Sequence, residues 1–150
     1  MPLTFTTKTF SGLTTKELYQ ILQLRSEVFV VEQDCVYQDV DGKDQKALHL
    51  IGTKGDKIIA YARLFDAGDY FEYASVGRVV VKQNERKYGY GHLLMQEAHK
   101  VVNKHFKTTI IKISAQAYLE KFYNTHGYQK EGEGYLEDGI PHIAMIVILK

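Results

Sequence analysis

Six residues, Arg86-Lys87-Tyr88-Gly89-Tyr90-Gly91, stand between an apolar run ending near Gln83 and an amphipathic stretch reaching about Phe106. No other feature constrains the fold of this chain as much. Residues 75 to 83 read as a strand, and the stretch after Gly91 as a helix with Leu94, Ala98, Val101, Val102 and His105 on one side. The first N–H groups of such a helix have no internal partners, and two glycines let a ligand approach the backbone closely. A turn of this kind welcomes an anion, phosphate above all. The absence of Gly-x-Gly-x-x-Gly and of Gly-Lys-Ser/Thr argues against a Rossmann dinucleotide site and a P-loop NTPase.

The same rhythm of strands and helices fills the rest of the chain. Residues 3 to 10 alternate as a strand, and Thr14 with Glu17 forms a capping box that opens a helix to about Val31. Residues 47 to 53 and 57 to 65 are two strands joined through Gly55-Asp56. After a short buried strand, 110 to 115, comes a helix from Ala117 to Thr125 closed by Gly127. Residues 128 to 133 and 141 to 149 form the last hairpin. With only Pro2 and Pro141 and no low-complexity stretch, residues 1 to 150 are expected to form a single domain. Its class is α/β (α+β), a twisted mixed sheet of about six or seven strands flanked by helices. On the first helix Leu18, Ile21, Leu22, Val28 and Phe29 share a face, and Arg25 falls inside that apolar stripe. A charge there needs an anionic partner, expected to be Asp39 or Asp41.

Charge and cysteine usage narrow the partners. Nineteen basic against 18 acidic residues give a net charge of +1, too little for broad nucleic-acid binding. No apolar run approaches the length of a membrane span, and Met1 to Phe5 lack the layout of a signal peptide. The single cysteine, Cys35, forms no internal disulfide, so a reducing cytoplasm is the expected setting. One cysteine and six scattered histidines show no metal-ligand spacing, so no metal is expected. From Glu27 to Asp44 the chain carries six acidic residues (Glu27, Glu32, Asp34, Asp39, Asp41, Asp44) and one basic residue, Lys43. Two readings stand side by side: the patch draws in a cationic substrate, or it supplies the anion that Arg25 needs.

Val79-x-Val81 followed by Arg86-x-x-Gly89-x-Gly91-His92-Leu93-Leu94 resembles the acyl-CoA binding motif of the GNAT superfamily of N-acetyltransferases. Gln116, Tyr123 and Gly127-Tyr128 resemble the end of that family's next strand and its following helix, with Gln116 where asparagine is usual and Leu119 at a position that is usually small. Arg25-x-x-Val28-Phe29-Val30-Val31-Glu32-Gln33, then Asp39-x-Asp41, His49 and Asp138-Gly139-Ile140-Pro141-His142, are similar to the ElaA-like subfamily. The resemblance covers about residues 14 to 148. It implies a GNAT fold splayed between the strand ending near Gln83 and the one ending near Ala115, and an enzyme that passes an acetyl group from acetyl-CoA directly to an amine. By the same resemblance the backbone from Arg86 through Lys87, Tyr88, Gly89, Tyr90 and Gly91 to His92 cradles the pyrophosphate. Val79 and Val81 align the pantetheine and the thioester, with Gln116 beside the arm, and Tyr123 serves the leaving thiolate.

The acceptor side is less determined. An alkyl amine is protonated at neutral pH, so a base must take a proton before attack. His142 follows Pro141 at the start of an apolar strand and is the first candidate, weighed against a structural histidine bonded across the sheet. His49 alternates with Ala47 and Ile51 and is assigned with Glu32 to the acceptor side; Glu32 and Glu72 are the carboxylate alternatives for the base. A small-molecule or peptide amine is the expected acceptor, with no nucleic acid or membrane partner and room for a homodimer. The rival reading is a non-catalytic acyl-CoA binding or sensing module.

Overall fold

The structure, a computed structural model, describes residues 2–150. The chain runs β1 (Leu3–Thr9), α1 (Thr15–Arg25), β2 (Leu48–Lys54), β3 (Lys57–Phe65), β4 (Ser75–Val81), α2 (Tyr90–Phe106), β5 (Ile110–Gln116), α3 (Glu120–Asn124), β6 (Gln129–Glu137) and β7 (Ile140–Ile148). The capping box that starts α1 is reciprocal: the Glu17 amide donates to Thr14 Oγ1 at 3.0 Å and the Thr14 amide to Glu17 Oε1 at 2.9 Å. Past Arg25 the sequence predicts more α-helix, but Ser26–Glu32 winds as a π-helix. The Gln33 amide reaches back to the Val28 carbonyl and that of Cys35 to Val30. This segment carries three β-branched residues, Val28, Val30 and Val31, which are weak helix formers.

Among the described residues seven strands form two antiparallel sheets, β1-β2-β3-β4 and β5-β7-β6. One parallel contact joins them: Ala74 bridges Ile111, and the Lys112 amide donates to the Ala74 carbonyl at 2.9 Å. That contact supplies the mixed character expected of the sheet. Beyond it β4 and β5 share no ladder, so their C-terminal ends part, as the resemblance implies. Gly127 ends the α3 region at φ +91°, a backbone that side chains rarely tolerate.

The alternation of side chains assigns each face of the first sheet to one helix. Ala60, Ala62 and Leu64 of β3, with Leu50 and Val76, pack with Leu94, Met95, Ala98 and Val102 of α2. On the opposite face Ile51, Tyr61 and Val80 meet Ile21, Leu24 and Val28. Arg25, Arg63 and His49 are fully or almost fully buried. They depend on the 36 to 46 segment, which brings Asp39, Asp41 and Asp44 to the guanidinium groups.

Candidate active site

Where β4 and β5 part, a cleft of about 560 Å³ opens. One wall is β4 from Val76 to Val81, whose backbone pairs with β3 on one side only. The polar groups on its other edge are left for a ligand. Tyr123, His142 and Gln116 line the same cleft from the second sheet and α3, and Glu32 and Gln33 line it from the end of the π-helix. Of the donor-side residues that the resemblance implies, Val79, Val81, Arg86, Gly89, Gly91 and His92 line it as well.

Gly89 precedes α2 in the left-handed region, φ +74°, and no side chain caps the helix. The N–H groups of Tyr90 and Gly91 are therefore open to an anion, while that of His92 turns back to the Gly89 carbonyl at 3.2 Å. A Cβ on Gly91 would meet only the Phe122 ring, at 3.5 Å, an ordinary contact. The glycine is therefore not forced by the protein's own packing. Arg86 serves the framework: its Nε donates to the Val81 carbonyl at 3.0 Å, and Nη1 and Nη2 form a two-pronged pair with Glu32 at 2.5 and 2.8 Å. The Lys87, Tyr88 and Tyr90 side chains lie outside the cleft. Residues 83 to 88 form a 3-10 turn, and the Tyr88 and Tyr90 rings hold the Lys54 ammonium at 4.5 and 5.4 Å.

On the far side of the cleft the Tyr123 ring is packed against Phe122 and Tyr128. Among the described residues nothing hydrogen-bonds its hydroxyl. Burial, with Tyr118 nearby, pushes this phenol well above its ordinary pKa, so it stays protonated. His142 donates from Nδ1 to the Ile140 carbonyl at 2.7 Å. A carbonyl only accepts, so that nitrogen carries the proton and Nε2 keeps its lone pair in the neutral ring. Glu137 Oε2 lies 3.4 Å from Nε2, in place as a counter-ion for the imidazolium. Ser114 Oγ donates to Glu137 Oε1 at 3.2 Å and meets the Tyr135 hydroxyl at 2.6 Å, while the Tyr135 ring stacks on His142.

Two sequence assignments fall away from the cleft. His49 has no exposure, because the alternation that turned it inward set it against the buried arginines. Its Nε2 donates to the Asp44 carbonyl at 2.9 Å, and Nδ1 accepts from the Tyr61 hydroxyl at 2.6 Å. Both nitrogens are occupied, and burial lowers its pKa. Glu72 is an exposed partner of Lys112 at 3.2 Å, outside the cleft. The acidic stretch is likewise tied into the framework: Glu27 pairs with Lys82, Glu32 with Arg86, and Asp39, Asp41 and Asp44 with Arg25, Arg63 and Arg78. Of the two readings of that stretch, supply of anions to buried arginines accounts for Asp39, Asp41 and Asp44, while Glu27 and Glu32 pair with part-exposed cations. Cys35 is buried, with its thiol on the Asp138 carbonyl at 3.3 Å.

Residues 12–149 match the model of the acetyltransferase (GNAT) domain family. The chain belongs to the GNAT family. Within it, the chain is similar to protein ElaA of Escherichia coli K12, 42% identical over 137 residues and 90% of each chain. The crystal structure of Escherichia coli ElaA superposes with a TM-score of 0.90 at 38% identity, covering 97% of this chain and 99% of that one. An acyl-CoA N-acyltransferase from Pseudomonas aeruginosa gives 0.90 at 42% identity, over 96% and 99%. The ElaA-like GNAT acyltransferase fold is thereby established, as the motifs imply.

Sequence reasoning on this GNAT chain missed Arg78, Ser114 and Glu137 as parts of the cleft, and Tyr135, which contacts Ser114 and the His142 ring. Arg78 sits at φ +48° at a register shift between β3 and β4. A non-glycine residue gives no sequence signal for such a bulge. The Ser114, Tyr135 and Glu137 contacts depend on the register of the second sheet.

Proposed function

We propose that this GNAT protein transfers an acetyl group from acetyl-CoA to a primary amine of a small molecule or peptide by direct attack, without an acyl-enzyme. The observation that carries the reading is that Gly89 and Gly91 at the uncapped start of α2, Tyr123 and His142 line one cleft between parted strands. The residues present fit the donor. N–H groups of the first α2 turn take the pyrophosphate, and the unpaired edge of β4 at Val79 to Val81 takes the pantetheine and orients the thioester carbonyl. His142 Nε2 accepts a proton from the ammonium, directly or through water, with Glu137 facing the imidazolium. The amine lone pair forms the C–N bond as the C–S bond breaks, the thiolate leaves toward Tyr123, and the second proton of the now cationic nitrogen passes to that thiolate, directly or through water, giving the amide and the free thiol of CoA. A phenol held well above its ordinary pKa gives up its proton reluctantly to a thiolate whose acid has a pKa of about 8.5. Tyr123 therefore stabilises sulfur chiefly by donating a hydrogen bond.

The test is thiol release from acetyl-CoA with polyamines, amino acids, aminoglycosides and peptides as acceptors, followed by mass spectrometry of the product. An acceptor gaining a single acetyl group on nitrogen supports the reading. Tight acetyl-CoA binding without turnover on any acceptor would replace it with a donor-binding module.

A further inference from the structure

Glu32 and Gln33 are consecutive, yet they are tied to different ones of the two parted strands, Glu32 through Arg86 and Gln33 directly. Glu32 grips Arg86, which is itself tied to the last residue of β4 through the Val81 carbonyl. Gln33 grips Gln116, the last residue of β5, through a reciprocal amide pair: Gln33 Nε2 donates to Gln116 Oε1 at 3.1 Å, and Gln116 Nε2 to Gln33 Oε1 at 3.3 Å. Two residues on, the Cys35 thiol holds the Asp138 carbonyl in the turn between β6 and β7. The 32 to 35 segment thus straps the mouth of the splay, and Glu32, Gln33, Arg86 and Gln116 all line the cleft beneath it.

The two fastenings differ in strength. A two-pronged guanidinium–carboxylate pair is charge-assisted, whereas a neutral amide pair at a part-exposed site adds little net stability. The amide pair is the one that yields. Its chemistry also matches the donor's: each pantetheine amide carries one N–H donor and one carbonyl acceptor, the same complement that Gln33 presents to Gln116.

We propose that Gln33 controls donor affinity by occupying Gln116 in the free protein, and that a pantetheine amide of acyl-CoA displaces it on binding. This rests on the acyl-CoA reading above. No covalent bond changes: one amide partner of Gln116 is exchanged for another. The closed pair lowers the population of the binding-competent state, and apparent affinity falls in proportion.

Gln33→Ala should therefore bind acetyl-CoA roughly three- to tenfold more tightly than the parent, with the gain in the association rate. Gln116→Ala, which loses the donor's partner as well, should bind more weakly than Gln33→Ala. Calorimetry and stopped-flow measure both. In the parent protein, side-chain amide NMR signals of Gln33 and Gln116 should shift together on titration with acetyl-CoA, Gln33 moving toward the position of a free glutamine. A role as a mere structural tie would make folded Gln33→Ala bind equally or more weakly, and that result overturns the proposal, as do unmoved Gln33 signals at saturation. Failure of the parent and both variants to bind acetyl-CoA overturns the donor reading itself and this inference with it.

Discussion

Arg25 Nε donates to Asp39 Oδ2 at 2.7 Å from a side chain with no solvent exposure, and Nη1 of the same group donates to Asp44 Oδ1 at 2.8 Å. Burial opposes the charge, but the hydrogen bond to Asp44 and the Asp39 and Asp44 carboxylates outweigh it. Asp39 also meets Arg78, and Asp44 also meets Arg63, so neither carboxylate is stranded when Arg25 is removed. Arg25→Ala is expected to cost about 3 kcal/mol, the low end for breaking a buried pair. Arg25→Met, which fills the space, should cost less. Denaturant midpoints check the order, and an unchanged midpoint for Arg25→Ala would contradict the network.

Gly91→Val is expected to fold, since its Cβ meets only the Phe122 ring at an ordinary distance, but to weaken acetyl-CoA binding severely by filling the cradle. Gly89→Val adds backbone strain at φ +74° and should also lower stability. Arg86→Ala should affect donor binding much less than either, because its side chain is held by Glu32 and the Val81 carbonyl. Calorimetry on the three variants ranks them; full affinity in folded Gly91→Val would remove the cradle.

How much of this was legible in the sequence follows from the range of each interaction. The α1 cap, most strand limits and the burial of Arg25 are set within a few residues and read directly, whereas β6 runs on to Glu137, past the expected end at Glu133. The full partner set of Arg25 did not: Asp39 was foreseen, Asp41 goes to Arg63 and Arg78, and Asp44 takes the remaining place. Three arginines from α1, β3 and β4 compete for three aspartates on one loop, and sequence spacing does not order that competition. His49 shows the same limit: alternation fixes its face, while the layer beneath that face depends on the path of residues 36 to 46. Gln33 and Gln116, 83 positions apart, meet only because the π-helix ends at the mouth of the splay.

His99 supplies a pH dependence. Burial, with His126 beside it, pulls its pKa from 6.5 to about 4, and its Nε2 meets the Tyr128 hydroxyl at 2.9 Å. The folded value lies below the unfolded one, so the unfolded chain takes up the proton first as pH falls. The stabilisation is complete above about pH 6.5 and disappears as pH drops toward 4. His126 and His49, also lowered, act in the same direction. Melting temperature should fall from pH 7 to pH 4 less steeply in His99→Gln than in the parent. Parallel curves would show that His99 does not contribute.

Tyr123→Phe removes one hydroxyl from a buried ring and leaves its packing on Phe122 and Tyr128 in place. The turnover number is expected to drop roughly ten- to a thousandfold with little change in acetyl-CoA affinity. Steady-state and single-turnover kinetics separate the chemical step from release. An unchanged chemical rate would make Tyr123 a packing residue.

The central claim is that acyl-CoA lies between β4 and β5 with its phosphates on the first turn of α2. Amide hydrogen exchange of the parent protein, with and without saturating acetyl-CoA, reads this directly. The account predicts new protection at residues 79 to 81 and 89 to 92, together with a raised melting temperature. Protection confined to other parts of the chain, or no protection and no thermal shift at millimolar acetyl-CoA, would contradict it.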